Sequence, residues 1–212
     1  MLKAIIFDLD GLLVDSTPLQ LEANRLFIES FGKIYAKPTS GREGMRIIDI
    51  LRDYKDIFEL PGSIEELYRK RQQIYFDLVK TDLRLFPDSL PLLEKLKKRG
   101  LRLALATSGD RNYVRLVFTK FPKLKDFFEK AVTSEEVDRG KPYPDVFLKA
   151  VQLLEIMPSE AVVIEDSFNG VAAAKRANIP VICIPNQHYP DADVGEADRV
   201  FKTLGEVEKA LK

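Results

Sequence analysis

Residues 3–16, KAIIFDLDGLLVDS, carry four apolar residues straight into a row of acids. Ala4 to Phe7 read as a short strand buried on both faces. Asp8 follows at once, then Asp10, Gly11 and Asp15. Carboxylates gathered at the end of a buried strand repel one another, so something cationic is expected among them.

Five further apolar runs read as strands, at 101–107, 130–133, 161–165, 180–184 and 199–202, beside the first at 3–8. From residue 88 onward they alternate with helical patterns at 89–99, 111–120, 143–155, 168–177 and 204–211. Such alternation predicts a parallel sheet with helices on both faces. Gly100 stands where a helix C-cap is needed before the second strand.

Residues 17–80 break the rhythm. Three helical patterns follow one another there, at 17–31, 43–57 and 63–80, punctuated by Gly32, Pro38, Gly41, Pro61 and Gly62. Ser63 and Glu66 have the spacing of a reciprocal helix cap. The expected organisation is an α/β core from residues 1–15 and 81–212, with a helical cap domain, residues 16–80, inserted after the first strand.

The chain has 212 residues, with Lys+Arg and Asp+Glu equal at 33 each. Zero formal charge argues against a nucleic-acid or anionic-membrane partner. The single cysteine, Cys183, lies in the apolar run PVICIP and is expected in the core; no internal disulfide can form, and a reducing cytoplasmic setting is expected. No apolar run approaches the roughly 20 residues of a membrane span, and no signal peptide is expected.

In an open α/β sheet, ligands bind beyond the carboxyl ends of the strands. The first strand delivers Asp8 and Asp10 there. The second delivers Thr107, Ser108, Gly109 and Asp110 at the start of a helix, and the third is followed by Lys141. The fourth delivers Glu165 and Asp166. Acids, a hydroxyl-rich helix start and one cation together suit a metal-bound phosphate. A phosphate is anionic, and Mg²⁺ with its oxygen ligands removes its repulsion from carboxylates. Asp8 and Asp166, with a backbone carbonyl near Asp10, are candidates to hold it. Thr107 and the following amides suit phosphate oxygens, and Lys141 neutralises more charge. One carboxylate is then available as a nucleophile and a second as an acid and base.

The stretches DLDGLLVDS, ATSG, GKPYPD and IEDSFNG, in this order, resemble the four motifs of the haloacid dehalogenase superfamily. The resemblance covers essentially the whole chain. It is closest to the subgroup with a helical cap after the first motif, as in β-phosphoglucomutase and phosphoglycolate-type phosphatases. It implies a Rossmann-like three-layer core with a four-helix-type cap. It implies Asp8 as nucleophile, Asp10 as acid/base, and Thr107, Ser108 and Lys141 as phosphoryl-binding residues. Mg²⁺ is the implied cofactor, with Asp8, Asp10, Asp166 and Glu165 as the metal set; neighbouring residues at a strand end point differently, so Glu165 is expected to act through water or from behind the direct ligands. The founding dehalogenases lack the second aspartate, so Asp10 points to phosphoryl transfer. The expected substrate is a small phosphorylated metabolite, a sugar phosphate or phosphoglycolate-like compound, and the expected enzyme a monomer or weak dimer. A sugar-phosphate mutase and a non-catalytic regulatory or binding protein on the same fold are the alternatives. In β-phosphoglucomutase a cap histidine follows the second aspartate by ten residues; here that position is Gln20, which cannot exchange a proton. Arg71 matches a cationic cap position of that family, and Arg42 stands in the SGREG loop. Taken singly, Arg42, Arg46 and Arg71 read as solvated helix faces. Thr107 and Ser167 read as helix caps, Asp15 as a structural residue bonding loop amides, and His188 as a surface loop residue.

Overall fold

The computed structural model describes residues 1–36, 41–189 and 193–210. Pro38, and Leu211 at the expected end of the last helix, lie outside the described residues. Six parallel strands form one sheet: β1 (Ala4–Phe7), β2 (Arg102–Ala106), β3 (Lys130–Val132), β4 (Ala161–Glu165), β5 (Val181–Cys183) and β6 (Arg199–Val200). Their order across the sheet is β3-β2-β1-β4-β5-β6. Ala4 pairs with Arg102 on one side and with Ala161 on the other. The chain therefore reverses its direction of travel across the sheet beside β1, and a crevice opens beyond the carboxyl ends of β1 and β4.

Alternation along β1 buries both of its faces. Ile5 and Phe7 join one apolar cluster with Leu103, Leu105, Leu93 and Val117. Ala4 and Ile6 join another with Ala104, Val163, Phe147 and Val171. The first cluster packs α4 (Ser89–Lys98), α5 (Arg111–Lys120) and α9 (Leu204–Ala210) on one face. The second packs α7 (Asp145–Leu153) and α8 (Phe168–Arg176) on the other. This is the three-layer, Rossmann-like arrangement the sequence implies. Cys183 is fully buried and free. The four-residue α6 (Pro122–Lys125) has too little periodicity to be read from sequence.

Between β1 and α4, the described residues form α1 (Thr17–Glu29), α2 (Ile47–Ile57) and α3 (Ile64–Asp82). Phe27, Ile28, Leu51, Tyr54, Leu60 and Leu67 give them a small core of their own. The cap at the start of α3 is as expected: Glu66 N donates to Ser63 Oγ at 3.2 Å, and Ser63 N donates to a Glu66 carboxylate oxygen at 2.8 Å. The other end of α3 does not stay with the helical insert. Tyr75, Val79 and Leu83 belong to the same apolar cluster as β1 and β2. One helix thus ties the insert to the sheet layer.

Candidate active site

Asp8 follows β1 directly and its amide donates to Ile164 O at 3.0 Å, which fixes it beside β4. Lys141 arrives from the loop before α7. Its Nζ donates to Asp8 Oδ1 at 2.6 Å, Glu165 Oε1 at 2.6 Å and Ala106 O at 3.3 Å. The lysine is fully buried at its side chain. Burial opposes its charge, but Asp8 and Glu165 outweigh burial and hold its pKa above the ordinary lysine value. The other oxygen of Glu165 accepts from Asp166 N at 2.7 Å, Ser167 N at 2.9 Å and Ser167 Oγ at 3.0 Å. Burial pushes the Glu165 carboxyl up, but Lys141 and these amides prevail and hold it below its usual range.

Asp166 stands beyond β4 and has no such cation of its own. Burial, then the charges of Glu165 and Asp8, push its pKa well up. Asp8 is pushed up too, by burial first, against the pull of Lys141. Single oxygens of Asp8, Glu165 and Asp166 lie within 4.8 Å of one another, a group that could hold a metal ion. Three buried carboxylates facing one ammonium leave negative charge that a divalent cation would offset. The donor set is all oxygen, as a hard cation requires. The Asp10 side chain is not part of this group.

Asp10 sits one turn of loop further on. Its Oδ1 accepts from Ser16 Oγ and Tyr113 Oη, both at 2.6 Å, and its Oδ2 from Thr107 Oγ1 at 3.3 Å. Burial raises its pKa, and the donors Ser16, Tyr113 and Thr107 counter this in part. Thr107 Oγ1 also accepts from Gly109 N at 3.0 Å. Thr107 does not cap the following helix as expected. Asp110 does, taking Tyr113 N at 2.8 Å, because it immediately precedes α5. Ser167 does cap α8, accepting from Gly170 N at 3.1 Å.

Asp8, Asp10 and Asp166 floor a cleft whose roof includes Arg42, Tyr54, Arg71 and Tyr75 from the helical insert. Arg71 is no solvated helix face: it is 1% exposed. Its guanidinium donates to Asn24 Oδ1 at 3.0 Å, Gln72 Oε1 at 2.9 Å, Gln20 O at 3.2 Å and the Gln20 side-chain oxygen. Every one of these acceptors is neutral, and burial pulls its pKa down to about 10. Arg42 stays at the rim, paired with Asp53 at 3.0 Å. Arg46 is outside the cleft and is not a free helix face either; it donates to Asp138 O at 3.0 Å and to Asp49 at 2.8 Å. Ser108 Oγ is engaged with the insert, donating to Gly44 O at 2.6 Å.

One expectation for a single residue changes. Among the described residues, Asp15 bonds not to loop amides but to the His188 ring, Oδ1 to Nε2 at 2.8 Å. His188 is the partly exposed loop residue expected, but it has a partner in Asp15. Sequence reasoning also passed over Asn186, whose Nδ2 donates to Asp166 Oδ2 at 2.7 Å and to Thr17 Oγ1 at 2.8 Å. Looking beyond the carboxyl end of β5, as was done for the other strands, would have found it. Tyr113 and Tyr75 had no such signal, since an aromatic residue on an apolar helix stripe reads as core.

The chain belongs to the haloacid dehalogenase-like hydrolases, whose family profile matches residues 5–184. A phosphorylated carbohydrates phosphatase of Thermotoga maritima is 33% identical over 185 residues, covering 84% of this chain and 82% of its own. A validoxylamine A 7'-phosphate phosphatase of Streptomyces hygroscopicus subsp. limoneus is 31% identical over 212 residues, covering 98% and 96%. The solved structure of CbbY from Rhodobacter sphaeroides in complex with phosphate superposes with a TM-score of 0.77 at 26% identity, covering 98% of this chain and 96% of the other. Within its family the chain is an enzyme of the phosphoric monoester hydrolase class. No helix of the described residues is long and apolar enough to cross a membrane.

Proposed function

We propose that this protein is a Mg²⁺-dependent phosphatase of a small phosphorylated metabolite, a sugar phosphate or a phosphoglycolate-like compound, working through a phosphoryl group carried on Asp8. The observation that carries this reading is the gathering of Asp8, Asp10 and Asp166 on the floor of one cleft, with Lys141 bound to Asp8 and Thr107 to Asp10 behind it. The names of the relatives support a phosphorylated and carbohydrate-like substrate.

In this reading residues 1–15 and 81–212 form the catalytic core and residues 16–80 the cap. Asp8 attacks phosphorus with a carboxylate oxygen, the bond to the leaving oxygen breaks, and that oxygen takes a proton from Asp10. Asp10 then takes a proton from the water that attacks the phosphoryl group, which frees Asp8 and releases inorganic phosphate. Lys141 and Thr107 hold the phosphoryl oxygens and offset their charge. Asp8, Asp166 and a backbone carbonyl at Asp10 would hold Mg²⁺, whose charge lets an anionic phosphate approach the carboxylates. Glu165, with both oxygens already engaged, acts by fixing Lys141 and the turn after β4. Ser108, Arg71 and Arg42 line the substrate side. Arg71, a buried cation among neutral amides, suits a second anionic or hydroxyl-rich end of the substrate. The protein acts in the cytoplasm as a monomer or weak dimer.

The test is product analysis with a panel of phosphorylated metabolites, with and without a chelator. Phosphate release that needs added Mg²⁺ is expected. With β-glucose 1-phosphate and a bisphosphate activator, formation of glucose 6-phosphate faster than phosphate would replace this reading with a mutase. The side chain of Gln20 is bound to Arg71 and offers Asp10 no proton, which supports hydrolysis. No phosphate release from any compound would favour a binding protein.

A further inference from the structure

We infer that Tyr113, assisted by Tyr75 from the helical insert, is a positioning residue for Asp10 and fixes which of its oxygens faces the leaving group. The inference rests on the reading of Asp10 as general acid. The two oxygens of Asp10 are held unequally. Oδ1 accepts from Ser16 Oγ at 2.6 Å, from Tyr113 Oη at 2.6 Å and from Tyr75 Oη at 3.5 Å. Oδ2 has Thr107 Oγ1 at 3.3 Å. A protonated carboxyl group keeps its hydrogen on the oxygen that is less engaged as an acceptor, here Oδ2 with its single long bond. Two short donors on Oδ1 therefore leave the transferable proton on Oδ2. That oxygen faces Thr107, the proposed phosphoryl-binding hydroxyl.

The two tyrosines come from different parts of the chain, Tyr113 from α5 and Tyr75 from α3. Each is 1% exposed. Their rings lie 5.2 Å apart, tilted by 40°, inside the large apolar cluster. Packing of the rings in this cluster removes the rotational freedom that a surface tyrosine would keep. The hydroxyls are thus delivered to Asp10 by two rigid helices, one from the sheet layer and one reaching up into the insert. Gln20 does not share this task, since its side chain is turned to Arg71. Arg71 in turn lies over the Tyr75 ring, with 4.8 Å from its guanidinium carbon to the ring centre. A general acid that can turn its proton away from the leaving oxygen loses its effect, so rigid donors on the far oxygen bear on the rate.

A purely structural tyrosine and a positioning one give different kinetics. The value of kcat/KM reports steps up to the first irreversible one, here transfer to Asp8, so it senses the leaving group. An acidic phenol departs without a proton, whereas a simple alcohol does not. The experiment measures kcat/KM for the wild type, Asp10→Asn, Tyr113→Phe and Tyr75→Phe over phosphate monoesters running from acidic phenols to alcohols. Asp10→Asn is expected to lose more as the leaving group becomes more basic. Tyr113→Phe is expected to follow the same trend, with about tenfold more loss on the alcohol ester than on the phenol ester. Tyr75→Phe, which removes the longer bond, is expected to show a smaller selectivity of the same sign. It carries the test if Tyr113→Phe does not fold. Equal losses across the series in the tyrosine variants, beside a selective Asp10→Asn, would overturn the inference and leave the tyrosines as packing. An unselective Asp10→Asn would overturn the acid role of Asp10, and this inference with it.

Discussion

On the sheet side of the cleft, Lys141 binds two carboxylates at 2.6 Å each, and Glu165 gathers three further donors on its second oxygen. On the insert side, Arg71 is equally buried, but its hydrogen-bond acceptors among the described residues are all amide oxygens. Both cations are out of water, yet one is matched by charge and the other is not. A buried charge pair is costly to break, because the remaining partner is left desolvated. The matched side is therefore built to stay as it is, and it is the side proposed to carry the chemistry. The unmatched side keeps a cation whose charge is not matched by an acid, and it is the side proposed to carry the choice of substrate.

The largest effect should come from the matched side. Asp8→Asn keeps the shape but removes the nucleophile. Turnover is expected to fall by roughly a thousandfold or more, with the circular dichroism spectrum unchanged. Near-native turnover would end the covalent reading. Lys141→Ala comes next. A loss of about a hundredfold or more in kcat is expected from the missing positive charge. The same variant leaves Asp8 and Glu165 unpaired, so denaturant unfolding should show a loss of about 3 kcal/mol or more. A change below about threefold in kcat would make this lysine dispensable.

Gly170→Ala sharpens the comparison without touching a charge. Alanine favours a helix over glycine by about 1 kcal/mol. Here, however, a Cβ at Gly170 would overlap the Glu165 carboxylate. The variant is expected to melt lower than the wild type and to lose turnover, although its helix propensity rises. A higher melting temperature would mean that Glu165 is held less firmly than the hydrogen bonds suggest. The smallest effect belongs to the unmatched side. Arg71→Ala should change the ranking of phosphorylated substrates by about tenfold while lowering turnover of a small aryl phosphate less. Equal losses on every substrate would place Arg71 with the structural residues.

The same contrast explains what the sequence made legible. Strands β1, β2, β4 and β5 were readable because each is a short apolar run, and Asp8, Thr107 and Asp166 stand directly beyond strand ends, with Lys141 in the loop before α7. A chain-local signal was enough for them. The edge strand β6 is expected at 199–202 and is only Arg199–Val200, both exposed, so its pattern carries little burial signal. The tie of Asp10 to Tyr113 joins residues 103 positions apart and no local spacing announces it, whereas Asn186, the partner of Asp166, stands just beyond β5 where a strand-end reading would reach it. Arg71 was readable as a cation but not as a buried one. Its burial depends on Asn24 and Gln20 of a different helix, which only the packing of α1 against α3 brings near.

The most direct test of the matched side is to catch the phosphoryl group where it is proposed to rest. Wild-type enzyme and the Asp8→Asn and Asp10→Asn variants would be mixed with Mg²⁺ and a phosphorylated substrate that the wild type turns over. The mixtures would be quenched in acid within a single turnover, digested, and read by mass spectrometry. A phosphoryl group on the peptide holding Asp8 in the wild type, and absent from Asp8→Asn, is the expected result. A phosphoryl group on another residue, or a wild-type burst of inorganic phosphate with no modified peptide at any quench time, would contradict the account.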